Sequence, residues 1–520
     1  MGMDRKMKEI KNENIANRGE KITQNKALTL RASGINEFIT YGIILLICII
    51  MCSPLLQFHI ASDTYNLMDL GYFEYPSHYF LKDARIVSTL VMYLAGILNL
   101  SYEFFIVFME VLAVIITSLS IYYIYKTVKE KINLETNWKK ALVIMATFIL
   151  IFNCMSLEYL LYAECSVMCL SVFLSVISAR IFSKNKKHHF IVPTLLMIIA
   201  TFCYQGSVNI FLPLVVLFLF IDKKKLGNKE LVKQIIIASI VLGIAYLINV
   251  VSIYAINIAL GEVQGRISNG VLSNLSIFGY VLGIILRATL ITNYNLWPTG
   301  ITLIFIFIAL IIILFQEKTN EKLFKYLILV IISIGICIVP VFFLSSPSME
   351  PRMAMSIGSI IGMTLIYLLS LEQKHKSLEY AVSIIVIGFF IFNTINTIQI
   401  YSAHIAGNKI DENMGMTIKY RIEEYERESG NTVTSVAYYR DANHRDYHLG
   451  WDKKLSSFGQ RAFDNYYCIV EALNYFCERK FERVQMDAEI YNEYFAGKDW
   501  DAYSDEQIVF DGDTMYLCTY

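Results

Sequence analysis

The sequence predicts a polytopic α-helical membrane protein carrying a small extracytoplasmic α+β domain at its C-terminus. Three observations lead there. The chain is 56% hydrophobic with a mean hydropathy of +0.49. Apolar runs of 15 to 24 residues recur along most of its 520 residues, and runs of that kind match a hydrocarbon core of about 30 Å. After Tyr401 the composition turns charged and aromatic.

Residues 1–37 form a basic leader in which Lys6, Lys8, Lys11, Lys21, Lys26 and Arg31 outnumber the acids. Positive charge before a first span keeps the N-terminus cytoplasmic. The leader shows no short apolar region with a small-residue cleavage site, so the first helix is expected to stay as an anchor. Phe38–Phe58 carries no charge and is long enough to cross. The polar stretch 59–85 then emerges outside, with Asp63 a few residues past the exit.

Parity orders the later segments. Ile86–Leu98 is apolar but short, and the lysines at 126, 129, 131, 139 and 140 mark the inside after Phe104–Tyr125. One crossing connects those two sides, so Ile86–Leu98 is expected to lie along the outer surface. Ala141–Ser156 and Val167–Phe182 form the next pair. Phe190–Cys203 and Val208–Ile221 turn outside at Tyr204-Gln205-Gly206, and Gln234–Asn257 crosses outward to a Gly- and Asn-rich loop. Of the runs Leu275–Ile291 and Thr299–Phe315, one is read as a crossing, and the segment with Arg287 as re-entrant or surface-lying, because a mid-bilayer arginine is costly. Three further spans, Tyr326–Leu344, Met353–Leu371 and Tyr380–Ile400, bring the total to about eleven. The membrane domain thus covers 38–400, with the C-terminus outside.

Residues 401–520 carry nine more acids than bases. Ile410–Ser429 reads as an exposed charged helix or linker, Thr432–Tyr439 as a strand, Phe463–Phe476 as an amphipathic helix, and Gln507–Tyr520 as a hairpin around Asp511-Gly512-Asp513. Seven of the ten cysteines lie in or beside apolar segments and read as small buried hydrophobes. Cys468, Cys477 and Cys518 in the tail leave a disulfide open. No basic patch stands apart from the helix-flanking lysines, which argues against a nucleic-acid partner.

The ionisable residues gather at the outer ends of the helices: Asp63, Asp69, Glu74, Asp83, Arg85, Glu158, Glu164, Gln205, Arg287, Glu350 and Arg352. Helix centres are nearly all Ile, Leu, Val and Phe, whereas a transporter is expected to place polar groups near the midplane. Chemistry here is therefore interfacial. A lipid-linked phosphosugar presents its phosphate at that depth. Arginines neutralise such a leaving group in bidentate fashion, and an ionised aspartate takes the proton of an acceptor hydroxyl. The bland readings are capping or interface solvation for Asp63, and solvated loop carboxylates for Asp69, Glu74 and Asp83. Glu158 and Glu164 divide evenly between helix ends and acceptor contacts, Gln205 serves the turn, and Arg352 flanks a span. His59 and His78 form no metal-ligand pattern and read as structural, and Trp451-Asp452 reads as packing the outer domain.

Asp63 after the first span, Asp83-Ala84-Arg85 opening a juxtamembrane helix, Tyr204-Gln205 at a tight hairpin and Pro351-Arg352 before a late span together resemble the membrane-embedded glycosyltransferases of the GT-C type. More narrowly, the layout is similar to the bacterial glucosyl transferase II family. The resemblance covers roughly 38–400. It implies transfer of a sugar, with glucose the one implied, from a polyprenyl-phosphate donor to a cell-envelope polysaccharide or glycolipid at the outer face of a bacterial membrane. It implies Asp63 as catalytic base or acidic site residue, with Arg85 and Arg352 on the donor phosphate. Arg287 is a further phosphate candidate, and Asp83, Asp69, Glu158, Glu164, Gln205 and Glu350 are acceptor or supporting residues. Relatives tend to carry Gly where this chain has Ala84. GT-C enzymes differ over a divalent cation, and Asp63 without an adjacent acid gives no support for one. The rivals are a flippase or transporter of lipid-linked oligosaccharide, a polysaccharide polymerase, and a non-catalytic scaffold.

Overall fold

A computed structural model describes residues 36–132, 134, 136–184, 190–222, 227–261, 278–338, 340–341, 349–371, 376–440, 456–498, 500 and 504–519. The basic leader up to residue 35, the loop with Glu262 and Arg266, and Trp451-Asp452 lie outside these residues, as does most of the turn before Pro351.

The described chain is mostly helical. In order come α1 (Asn36–Leu55), α2 (Ser62–Tyr79), α3 (Ile86–Ile97), α4 (Tyr102–Lys131), α5 (Asn137–Ile151), α6 (Cys165–Phe182) and α7 (Ile191–Cys203). Next are α8 (Phe211–Phe220), α9 (Asn228–Leu260), α10 (Phe278–Leu286), α11 (Ile301–Leu314), α12 (Thr319–Ile338), α13 (Ile360–Ser370) and α14 (Lys376–Ser429). Among the described residues five helices, α1, α4, α6, α9 and α14, are long and apolar enough to cross a membrane. That is fewer than the eleven crossings expected from sequence. The apolar runs at 190–203, 299–315 and 353–371 form helices of fewer than 18 residues, and the run ending at Phe220 begins as a 3-10 turn over Gln205–Ile210.

Burial separates the helices by role. Most of α6 is enclosed, 72% of its apolar window, whereas only 28% of α1 and α9 is. Ile236, Ile240, Ile244, Leu247 and Val251 leave an apolar stripe exposed along α9; in a bilayer, lipid would cover such a stripe. Inside, small residues bring backbones together. A Cβ at Gly362 on α13 would stand 2.3 Å from the Leu150 backbone on α5.

The expected boundary near Tyr401 falls inside a helix. Lys376–Ser429 runs unbroken for 54 residues, about 80 Å at 1.5 Å per residue, and holds no proline to stop it. It continues into a four-stranded sheet of β1 (Ser435–Arg440), β2 (Glu482–Val484), β3 (Ile508–Asp511) and β4 (Thr514–Thr519), ordered β2-β1-β4-β3. β1 pairs in parallel with β2 and β4. The crossover to β2 carries α15 (Ile469–Cys477), and β3 and β4 form an antiparallel hairpin with Gly512 at φ +59°. Among the described residues no disulfide joins Cys468, Cys477 and Cys518.

This C-terminal domain is docked. Ile60 and Tyr65, beside and within α2, share a core with Met414, Ile418, Phe463, Ile469, Leu473 and Phe476. Asn408 on α14 bonds both ways with the backbone of Ile60, at 2.7 and 2.8 Å. The stretch 59–85 therefore lies between the bundle and the domain.

Candidate functional site

The stretch read as a polar loop is helical over most of its length. α2 is two helical pieces joined at Gly71, whose φ of +80° only glycine adopts at low cost. Its buried side, with Thr64, Tyr65, Leu67, Tyr72 and Tyr75, accounts for the order: the carboxylates project from a helix whose other face is packed. Asp63 sits in the first turn, where the amide dipoles favour negative charge. Its Oδ1 accepts a hydrogen bond from the Tyr467 hydroxyl at 2.7 Å.

Arg85 is presented by a strained turn. Leu81–Asp83 is a 3-10 turn and Ala84, fully buried, takes left-handed angles of φ 53° and ψ 33°, a conformation that disfavours any side chain. The turn is braced from two sides, because Gln205 Nε2 donates to the Asp83 carbonyl and Asn257 Nδ2 to that of Lys82 at 2.9 Å. Arg85 then lies over the Tyr204 ring, Cζ 5.0 Å from its centroid, with Nη2 3.6 Å from Asp83 Oδ2. Its buried Nε has no hydrogen-bond partner among the described residues.

Arg352 arrives from the other end of the chain. It lies in a 3-10 turn over Pro351–Met353 whose backbone is held by Tyr159, whose hydroxyl donates to the Arg352 carbonyl at 2.6 Å, and by Asn209, bonded to the Met353 carbonyl at 2.6 Å. Its Nη1 donates to Glu158 Oε2 at 3.1 Å and to the Tyr162 hydroxyl at 2.6 Å. Glu158 is completely buried and Arg352 about a quarter exposed, so the cation faces the opening and its counter-charge lies beneath. Tyr204 couples electrostatically to both arginines.

Glu164 ties the group together. It precedes α6 and is 6% exposed. Burial pushes its carboxyl up to about 7, Arg85 opposes that rise, nearby Asp63 adds to it, and Arg352 opposes it more weakly. One carboxyl thus feels Asp63, Arg85 and Arg352 at once, although these residues are spread across 290 positions.

Other expected residues fall elsewhere. Asp69 binds the C-terminal domain, accepting from Asn474 Nδ2 at 2.9 Å with Lys480 Nζ 3.7 Å away. Glu350 is exposed, and its charge reaches Arg352. Arg287 opens a π-turn beyond α10, is exposed, and among the described residues nothing joins it to Arg85 or Arg352.

Sequence reasoning gives no site role to four residues. Tyr204 sits in a quoted motif, and Tyr162 stands four residues after Glu158; neither residue type marks a site by itself. Tyr467 reaches Asp63 across 404 positions, a separation no local pattern encodes. His59, read as structural, lies in a buried chain, with Nε2 3.4 Å from Glu110 Oε1 and Nδ1 3.3 Å from His404 Nε2.

Among the described residues no group of three or more His, Cys, Asp or Glu is placed to hold a metal ion. Comparison with protein-family models, with curated proteins and with solved structures finds no match to this chain.

Proposed function

We propose that the protein is a membrane glycosyltransferase, moving a sugar from a polyprenyl-phosphate donor to a cell-envelope glycan at the face of the membrane that carries its C-terminal domain. The observation that supports this most is the convergence of Arg85 and Arg352 on Tyr204, with Asp63 and Glu164 in the same electrostatic cluster. Two arginines at the mouth of a greasy bundle suit a phosphate at headgroup depth. In the proposed step an acceptor hydroxyl attacks the anomeric carbon, the bond from that carbon to the phosphate oxygen breaks, and polyprenyl phosphate leaves between the arginines. The acceptor proton passes to Asp63. Glucose as the sugar, about eleven crossings, and a bacterial membrane with N-terminus inside and C-terminus outside belong to this proposal.

A transporter of lipid-linked oligosaccharide is the second reading, favoured by one observation: Glu110, His59 and His404 are buried together within the helical body, and buried ionisable groups in membranes often serve transport. Purified protein in liposomes, given radiolabelled polyprenyl-phosphate hexose and envelope glycan, separates the two. Label in the glycan, abolished by Asp63→Asn, supports transfer. Label that changes leaflet with no glycan product, in native protein and Asp63→Asn alike, rejects it.

A further inference from the structure

We infer that the exposed side chains where α2 meets the C-terminal domain form a binding subsite for a neutral carbohydrate, the acceptor glycan, built from Tyr79, Tyr466, Tyr467, Glu471 and Arg483. This deepens the transfer reading and rests on it.

The surface begins at Asp63. Tyr467 reaches that carboxylate with its hydroxyl while its residue stays 43% exposed, so the polar tip is anchored and part of the ring is open to a ligand. Burial and the neighbouring Asp63 both hold the Tyr467 phenol above its ordinary range, which keeps it a donor. Next to it Tyr466 is 65% exposed, and the Arg483 guanidinium lies 5.2 Å from its ring centroid. Arg483 is tied to Glu471, with Nη2 3.1 Å from Oε2 and 3.5 Å from Oε1. From α2, Tyr79 is 41% exposed, with Glu471, Asp63 and Arg483 as its electrostatic neighbours. Two elements far apart in sequence therefore contribute to one exposed surface.

The chemistry selects the ligand. Exposed tyrosine rings combine an apolar face with a polar tip and suit a ligand with C–H faces and hydroxyl edges. The Glu471–Arg483 pair offers an acceptor and a donor side by side, the complement of adjacent hydroxyls. Because that pair cancels its own charge, it gives an anion no net attraction. These five residues are aromatic or charged, and an amphipathic protein helix would want aliphatic anchors instead. A sugar chain lying here would end with a hydroxyl at Asp63.

The test uses the full-length protein in detergent on an array of neutral hexose and N-acetylhexosamine oligosaccharides. Native protein is expected to bind at least one glycan. Tyr466→Ala is expected to bind it about three- to tenfold more weakly, while Tyr466→Phe, which keeps the ring, stays within about twofold of native. Because binding is read without turnover, the two proposals fail separately. Transfer in liposomes with no array binding, or with binding indifferent to Tyr466→Ala, overturns the subsite and spares the enzyme. Array binding lost in Tyr466→Ala while no donor yields transfer leaves a carbohydrate site and removes the enzyme. Polyprenyl phosphate displacing the bound glycan competitively would assign this surface to the donor and overturn the subsite.

Discussion

Glu164→Gln is the most informative single change, because Glu164 feels every charged member of the cluster. Lifting a carboxyl from its ordinary 4.5 to about 7 makes its ionised form about 3 kcal/mol less favourable in the folded protein than in the unfolded chain. Proton counts give the sign. Between pH 4.5 and 7 the unfolded chain has lost this proton and the folded protein has kept it, so stability falls as pH rises through that window and levels above it. Glutamine removes the dependence. In detergent, thermal unfolding monitored by tryptophan fluorescence should show Glu164→Gln gaining on native protein from about pH 5 to about pH 8, by up to about 3 kcal/mol. Infrared difference spectra should show a protonated carboxyl band that disappears near pH 7 in native protein and is missing in the variant. The reverse trend, native protein gaining on the variant as pH rises, would mean that Glu164 is an ionised partner of Arg85, and the reasoning would be refuted.

Three further changes test the scaffold. Glu158→Ala leaves Arg352 facing a buried gap; with that arginine a quarter exposed, the loss should be about 2 kcal/mol, below the range for a fully enclosed pair, and any transfer activity should fall with it in the liposome assay. Ala84→Gly relieves the left-handed strain at φ 53° and should raise the melting temperature slightly, by up to about 1 kcal/mol of stability; a lower melting temperature would count against the backbone described for Arg85. Gly362→Val drives a side chain into the Leu150 backbone and should cost on the order of 3 kcal/mol, seen as loss of monodisperse protein in size-exclusion chromatography.

The membrane class was legible because hydrophobic length is a property of contiguous residues. α4, α6, α9 and α14 each contain an expected crossing, and α1 covers Phe38–Phe58 up to Leu55. The hairpin at Asp511-Gly512-Asp513 was legible for a similar reason, since Asp-Gly forms the turn locally. What sequence hid was long-range. α2 appeared as a polar loop because, apart from Leu67 and Pro76, its packed face consists of tyrosines, threonine and asparagine, and its partners, such as Tyr467 and Asn474, stand some 400 residues away. The charged run 410–429, read as an exposed charged helix or linker, is helical, and nothing local reveals that it continues the last apolar helix. At the site, Asp63, Arg85 and Arg352 could be named from residue type and distance to a span, and Glu164 joins them electrostatically. Arg287 had the same credentials and lies exposed apart from them, because position at a helix end says nothing about which face the side chain takes.

The central claim is that residues from both halves of the membrane domain open onto one site on the outer side. Ser62→Cys, beside Asp63, and Glu350→Cys, beside Arg352, can each be treated in intact expressing cells with a membrane-impermeant maleimide, over a background set by native cysteines that are all buried except the partly exposed Cys477. Labelling of both from outside is the result expected. Labelling of one only after the cytoplasmic face is opened would place the two on opposite sides of the bilayer and contradict the account.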